Sequence, residues 1–155
     1  MFSYLKFWLK SSNQHGLHSP FVYNYLTRGL YETSKKSNNK QLDWILKSIQ
    51  YFKPKNVFVC GSLEEDLSLF RSLFTNSLTE ADIIIIQNYS FLEIKEIVMK
   101  MNSKQLLFVC NNMYNPVFQK CLCENDKIVL VVDFYVGSLV SKRTEQLKQN
   151  FFLRL

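Results

Sequence analysis

The groups best placed to do chemistry in this chain are three short polar stretches, each following a hydrophobic run. They are Cys60-Gly61-Ser62, Gln87-Asn88-Tyr89 and Cys110-Asn111-Asn112-Met113-Tyr114. They offer amides, hydroxyls and thiols, and no carboxylate. Asn and Gln donate and accept hydrogen bonds but take up no proton near neutral pH, so such loops bind better than they catalyse. His15 and His18 flank Gly16 in a polar turn with no carboxylate or cysteine near them in sequence, so they are read as fixing that turn and not as metal ligands. Cys60, Cys110, Cys121 and Cys123 include no C-x-x-C pair, so no zinc site is expected and buried thiols are the default. With only four glycines, Gly16, Gly29, Gly61 and Gly137, the chain has no glycine-rich phosphate cradle.

The elements that hold these stretches follow from periodicity. Asn56 to Cys60, Asp82 to Ile86 and Gln105 to Cys110 are compact apolar runs, as expected of strands covered on both faces. Helical patterns separate them. Ser62 with Glu65 reads as a capping box opening a helix with a stripe of Leu63, Leu67, Phe70 and Phe74, and Ser90 with Glu93 repeats the signal ahead of Ile94, Ile97, Val98 and Met101. Asn115-Pro116 opens a short helix carrying Phe118, Cys121 and Leu122. Lys127 to Phe134, Gly137 to Ser141 and Asn150 to Leu155 then read as strands, so the sheet is expected to finish in antiparallel pairs. The fold class is α/β: a three-layer, mostly parallel sheet of five or six strands. Ligands of such sheets sit outside the carboxyl ends of the strands, where the three polar stretches lie.

Residues 1–55 are expected to form a basic helical extension packed over the mouth of the sheet, ahead of the α/β body at 56–155. Its helices are read from Phe2, Leu5, Trp8 and Leu9, from the Ser19-Pro20 cap through about Leu30, and from about 40–52 with Leu42, Ile45, Leu46, Ile49 and Phe52 on one face. Pro54 ends the last of these.

Segment 13–24 (NQHGLHSPFVYN) resembles the N-terminal signature of a group of bacterial class I S-adenosylmethionine-dependent methyltransferase-like proteins. Phe134-Tyr135-Val136-Gly137, continuing through Glu145, Gln146, Lys148 and Phe151, resembles the C-terminal end of the same group. The resemblance implies a Rossmann-like fold and a crevice for S-adenosylmethionine formed by Gly61, Ser62, Gln87, Asn88, Asn111 and Asn112, with His15 and His18 near its mouth. Two departures matter. Full members carry two further strand-helix units after the first glycine loop, including the acidic residue that grips the cofactor ribose, and nothing here matches it. The acidic position before Gly61 is Val59, an expected glycine is Glu65, an aspartate position falls on Gln87, a pair of aspartates on Asn111 and Asn112, and a histidine position on Tyr114. Most of these changes replace a carboxylate by an amide or an apolar group, losing charge, base strength and affinity for hard cations. A reduced methyltransferase-like protein without catalytic residues, acting through binding, is the leading expectation.

Plainer readings stand beside it. Gly61-Ser62 serves as a strand-to-helix turn, Glu65 as the capping partner of Ser62, and Asn111-Asn112 as satisfying loop backbone groups. An active small methyltransferase also stays open, because methyl transfer depends mainly on alignment.

The charge distribution raises a third alternative. The chain of 155 residues carries +6, with +7 in residues 1–56 and −1 in the remainder. Lys35, Lys36, Lys40, Lys47, Lys53 and Lys55, with Tyr31 and Tyr51, offer a surface for nucleic acid or another polyanion. A solvated helix face is the plainer reading of the same lysines. Phe2, Tyr4, Phe7 and Trp8 with Lys6 and Lys10 are read as packing on the domain, ahead of contact with another subunit or an anionic membrane. No apolar run is long enough to span a bilayer, no secretory leader is expected, and the cysteines suit a reducing cytoplasm.

Overall fold

The computed structural model describes residues 2–11, 18–110, 115–144 and 147–155. Helix α1 (Phe2–Lys10) is followed by α2 (Pro20–Asn24), which continues as a π-helical segment, Tyr25–Tyr31, and then by α3 (Lys40–Phe52). The body runs β1 (Val57–Cys60), α4 (Leu63–Asp66), a 3-10 segment (Ser68–Leu73), β2 (Ile83–Gln87), α5 (Phe91–Lys100), β3 (Leu106–Cys110) and α6 (Pro116–Glu124). Strands β4 (Leu130–Asp133), β5 (Ser138–Ser141) and β6 (Gln149–Phe152) complete it.

Local signals set most of these boundaries. Ser19 Oγ accepts from the Val22 amide with Pro20 at the first helical position. Asn39 Oδ1 accepts from Gln41 and Leu42 at the start of α3, and Ser90 and Glu93 form the full reciprocal capping box at α5. Helix α3 stops at Phe52 because Lys53 turns into the left-handed region, φ 48°, just ahead of Pro54.

The six strands form one sheet in the order β1-β2-β3-β5-β4-β6. β1, β2 and β3 pair in parallel, β5 is antiparallel to both β3 and β4, and β6 is parallel to β4. Only β5 is therefore reversed. The expected antiparallel finish holds for β5 alone, because the passage from β5 returns the chain to the starting end of the sheet, where β6 lies beside β4.

Strands β1 to β5 each feed two cores. Ile83 and Ile85 face one side with Val57, Phe108, Val132 and Leu139, while Ile84 and Ile86 face the other with Leu107, Val109, Val131 and Val140. The first side is covered by Val22, Tyr25, Leu26, Trp44, Ile45 and Ile49, the second by Ile94, Val98, Phe118 and Leu122. Each such aliphatic side chain contributes about 1.5–3 kcal/mol on leaving water. The segment 20–52 thus supplies a whole layer of the sandwich, and the expectation that it lies over the mouth is corrected. At the carboxyl edge lie α1, with Phe7 buried against Tyr135 and Phe152, and the start of α3, where Gln41 Nε2 donates to the Val136 carbonyl.

A buried polar group joins α3 to the π-helical segment that continues α2. Trp44 Nε1 donates to Tyr25 Oη at 2.8 Å, and Ser48 Oγ donates to the Trp44 carbonyl at 2.6 Å. With the Ser48 proton so used, Tyr25 Oη donates to Ser48 Oγ at 2.6 Å. Burial pushes the Tyr25 phenol well above its ordinary value, which keeps it a donor. Gly137 lies under the indole of Trp44 and beside the Val109 carbonyl, leaving no room for a Cβ.

Candidate functional site

The loops after β1 and β2 meet at the carboxyl edge. Gly61 has φ +119°, a conformation open to glycine, and a Cβ there would stand 2.8 Å from Gln87 Cβ. Ser62 Oγ donates to Gln87 Oε1 at 2.6 Å, which latches the first loop to the second. Asn88 adopts φ +59° and its amide donates to the Cys110 carbonyl at 3.0 Å, tying the second loop to the end of β3. The structure therefore brings Gly61, Ser62 and Gln87 into contact and places Asn88 next to them, exposed. Asn111, Asn112 and Tyr114 lie outside the described residues, as do His15 and Gly16. His18 is exposed.

The helix expected through Phe74 is corrected. Helix α4 is one turn long, and the Ser62 hydroxyl goes to Gln87, while the Glu65 side chain lies outside what is described. Leu63 and Leu67 are buried, but Leu69 is exposed and the chain tightens into the 3-10 segment. That tightening delivers Phe74 to a single parallel bridge with Val57, and Thr75 N–H donates to the Val57 carbonyl. Val59, at the position that is acidic in the group resembled, packs toward the core shared with α2 and α3.

Cys60 Sγ and Tyr89 Oη approach to 2.5 Å across the same two loops. This bond, ahead of burial, pushes the Tyr89 phenol up to about 12, so it stays protonated. Burial also drives the Cys110 thiol upward, which makes it inert. Cys121 and Cys123 lie on α6, and burial followed by the Asp133 charge raises Cys123. Among the described residues no three His, Cys, Asp or Glu side chains gather as a metal site.

A second polar group under α6 was not anticipated. Gln119 Nε2 donates to Ser138 Oγ at 2.6 Å, and Ser138 is the register partner of Asp133 in β4 and of Val109 in β3. Asp133 is buried, and its Oδ1 accepts from the Tyr135 amide, which holds the β4–β5 turn with Tyr135 at φ +68°. A carboxylate ending the apolar run Leu130 to Val132 was the available signal.

The expected lysine face is divided. Lys47 pairs with Asp43 at 3.0 Å and also donates to the Leu30 carbonyl, and Lys35 donates to Asn38. Tyr51 packs against Tyr25 and Phe52, so of the two tyrosines only Tyr31 is exposed. Lys53 and Lys55 belong to a cleft at the opposite, amino edge of the sheet. On α1, Tyr4, Leu5, Trp8 and Leu9 are exposed, and Arg154 lies 4.4 Å over Trp8 while donating to Ser11 Oγ at 2.8 Å. Among the described residues no helix is long and apolar enough to cross a membrane.

No family model matches the chain, and no curated protein is detectably similar to it.

Proposed function

We propose that the chain is a shortened class I methyltransferase-like protein that has lost methyl transfer and acts through binding. The Ser62–Gln87 latch is the observation that carries this reading. In the group resembled, the first glycine loop stays open so that S-adenosylmethionine can approach the backbone. Here the Gln87 side chain stands against Gly61 and takes the Ser62 hydroxyl, which occupies the approach with the protein's own groups.

The residues on this edge do not fit the cofactor well. The position before the loop turns an apolar Val59 into the core, and Gln87 is an amide already engaged. The sheet order supports the same reading, since the shortening leaves β1 at an edge with one bridge to Phe74.

Isothermal titration of the full chain with S-adenosylmethionine, and with the demethylated product S-adenosylhomocysteine, tests the proposal. No saturable heat is expected from either. Micromolar binding of either compound overturns it in favour of a small active methyltransferase.

A further inference from the structure

A cleft of about 550 Å³ opens at the amino edge of the sheet, on the far side from the polar loops. Its walls come from three places: the end of α3 and the turn after it, the entries to β2 and β3, and the exit from β5. Four cations line it: Lys53, Lys55, Lys104 and Arg143. Among the described residues none of their charged heads makes an ion pair or a side-chain hydrogen bond to the protein. The one acidic side chain in the lining is Asp82, and its Oδ2 already accepts from the Lys55 and Asn56 amides at 2.7 and 3.0 Å.

The carboxyl end of α3 directs a partial negative charge at this cleft, and Lys53 and Lys55 sit where they oppose it. Lys104 and Arg143 arrive from other elements and carry the surplus. The apolar wall is aromatic. Phe21 and Phe52 stack with centroids 5.9 Å apart and planes at 25°, and the Arg143 guanidinium lies 4.5 Å over the Phe21 ring. A guanidinium held over a ring by cation–π attraction still has N–H groups for an anion.

We propose that this amino-edge cleft binds a nucleoside phosphate, either as a free nucleotide or as a unit within a single strand. The cations supply the phosphate contacts, and the Phe21–Phe52–Arg143 wall supplies a flat surface for the base. The space is far larger than a bare phosphate needs and falls in the range of small-molecule pockets. The inference does not rest on the methyltransferase-like reading, because the two sites use opposite edges of the sheet.

The test is titration of the full chain at low salt with uridine monophosphate, with a ten-nucleotide single-stranded oligouridylate, and with inorganic phosphate. The double substitution Lys104→Gln with Arg143→Gln is expected to weaken nucleotide binding by at least about tenfold for each cation removed. Lys35→Gln with Lys40→Gln, away from the cleft, and Gln87→Ala, at the other edge, are expected to leave it unchanged. Thermal melts of each variant separate impaired binding from impaired folding, and Lys104→Gln alone, an exposed change, weakens binding less and in the same direction. Equal affinity per site for monophosphate and oligomer identifies a free nucleotide as the source. Tighter oligomer binding, with log K falling by roughly 3 per decade of salt for four phosphate contacts, identifies a strand. Either result supports the proposal. No saturable binding, binding indifferent to the double substitution, or inorganic phosphate bound as tightly as the nucleotide overturns it.

Discussion

The two edges of this sheet have the same strands behind them and opposite surfaces. At the carboxyl edge the polar side chains answer one another: Ser62 with Gln87, Cys60 with Tyr89, and Gln119 with Ser138. At the amino edge Lys53, Lys55, Lys104 and Arg143 surround a cleft, and among the described residues their charged heads have no ion-pair or hydrogen-bond partner in the protein. An α/β sheet is ordinarily expected to bind at its carboxyl edge. Here, among the described residues, Ser62, Gln87, Cys60 and Tyr89 on that edge are already engaged with one another, and four cations without such partners lie at the other end of the same strands. Which edge is available is decided by side-chain pairing, and topology alone does not settle it.

That comparison can be broken at its common support. Trp44→Ala removes the ring that covers Phe108, Phe134 and Gly137, and should cost about 3–5 kcal/mol in urea unfolding. Hydrogen exchange should then show both edges losing protection together, and loss at one edge alone would mean that they open independently. Tyr25→Phe keeps the ring but leaves the buried Trp44 Nε1 without an acceptor, while Ser48 Oγ retains its bond to the Trp44 carbonyl, for an expected loss of about 1–3 kcal/mol by the same unfolding measurement.

Gln87→Ala probes the carboxyl edge by itself. Ser62 is exposed and can turn to water, so the change in stability should be about 0.5–1 kcal/mol or less. If S-adenosylmethionine binds this variant and not the parent, the latch is the barrier. If neither binds, the missing strand-helix units are the larger loss.

The smallest effect is in acid. Burial would raise the Asp43 carboxyl, but the Lys36 and Ser37 amides and the Lys47 ammonium outweigh it and hold it below its usual 3.8. A depressed folded value stabilises fully above 3.8 and is lost as pH falls through the lower folded value. Stability should therefore decline on that limb, and Asp43→Asn should flatten it by less than about 1 kcal/mol, seen in unfolding midpoints against pH.

What the chain revealed in advance was mostly local. The Ser19-Pro20, Ser90-Glu93 and Asn115-Pro116 starts, and the span of α3, rest on residues close together in sequence, and the structure has them as expected. Ile83 to Ile86 reads as a strand because β-branched residues in a row suit a strand covered on both faces. The misreadings needed partners far away in sequence. The buried side of α3 includes Trp44 and Ser48, because the Tyr25 hydroxyl satisfies them both. Ser62 reads as a cap from nearby Glu65, yet its hydroxyl is taken by Gln87, 25 residues away. Of the candidate crevice residues, Gly61, Ser62 and Gln87 meet, Asn88 adjoins them, and Asn111 with Asn112 fall outside the described residues. The amino-edge cleft was only half legible: Lys53 and Lys55 stood out as part of a basic run, while nothing near them in sequence singles out Lys104 and Arg143.

Arg154 reaches back across 143 residues to Ser11 and across 146 to Trp8. Contacts that span nearly the whole chain form late, since the intervening loop must close before they add anything. During synthesis α1 must therefore wait, with Phe7 uncovered, until β6 has emerged and docked beside β4. Helix α1, made well before β6, is among the last elements to be secured, and in that interval its apolar face is open to whatever the nascent chain meets.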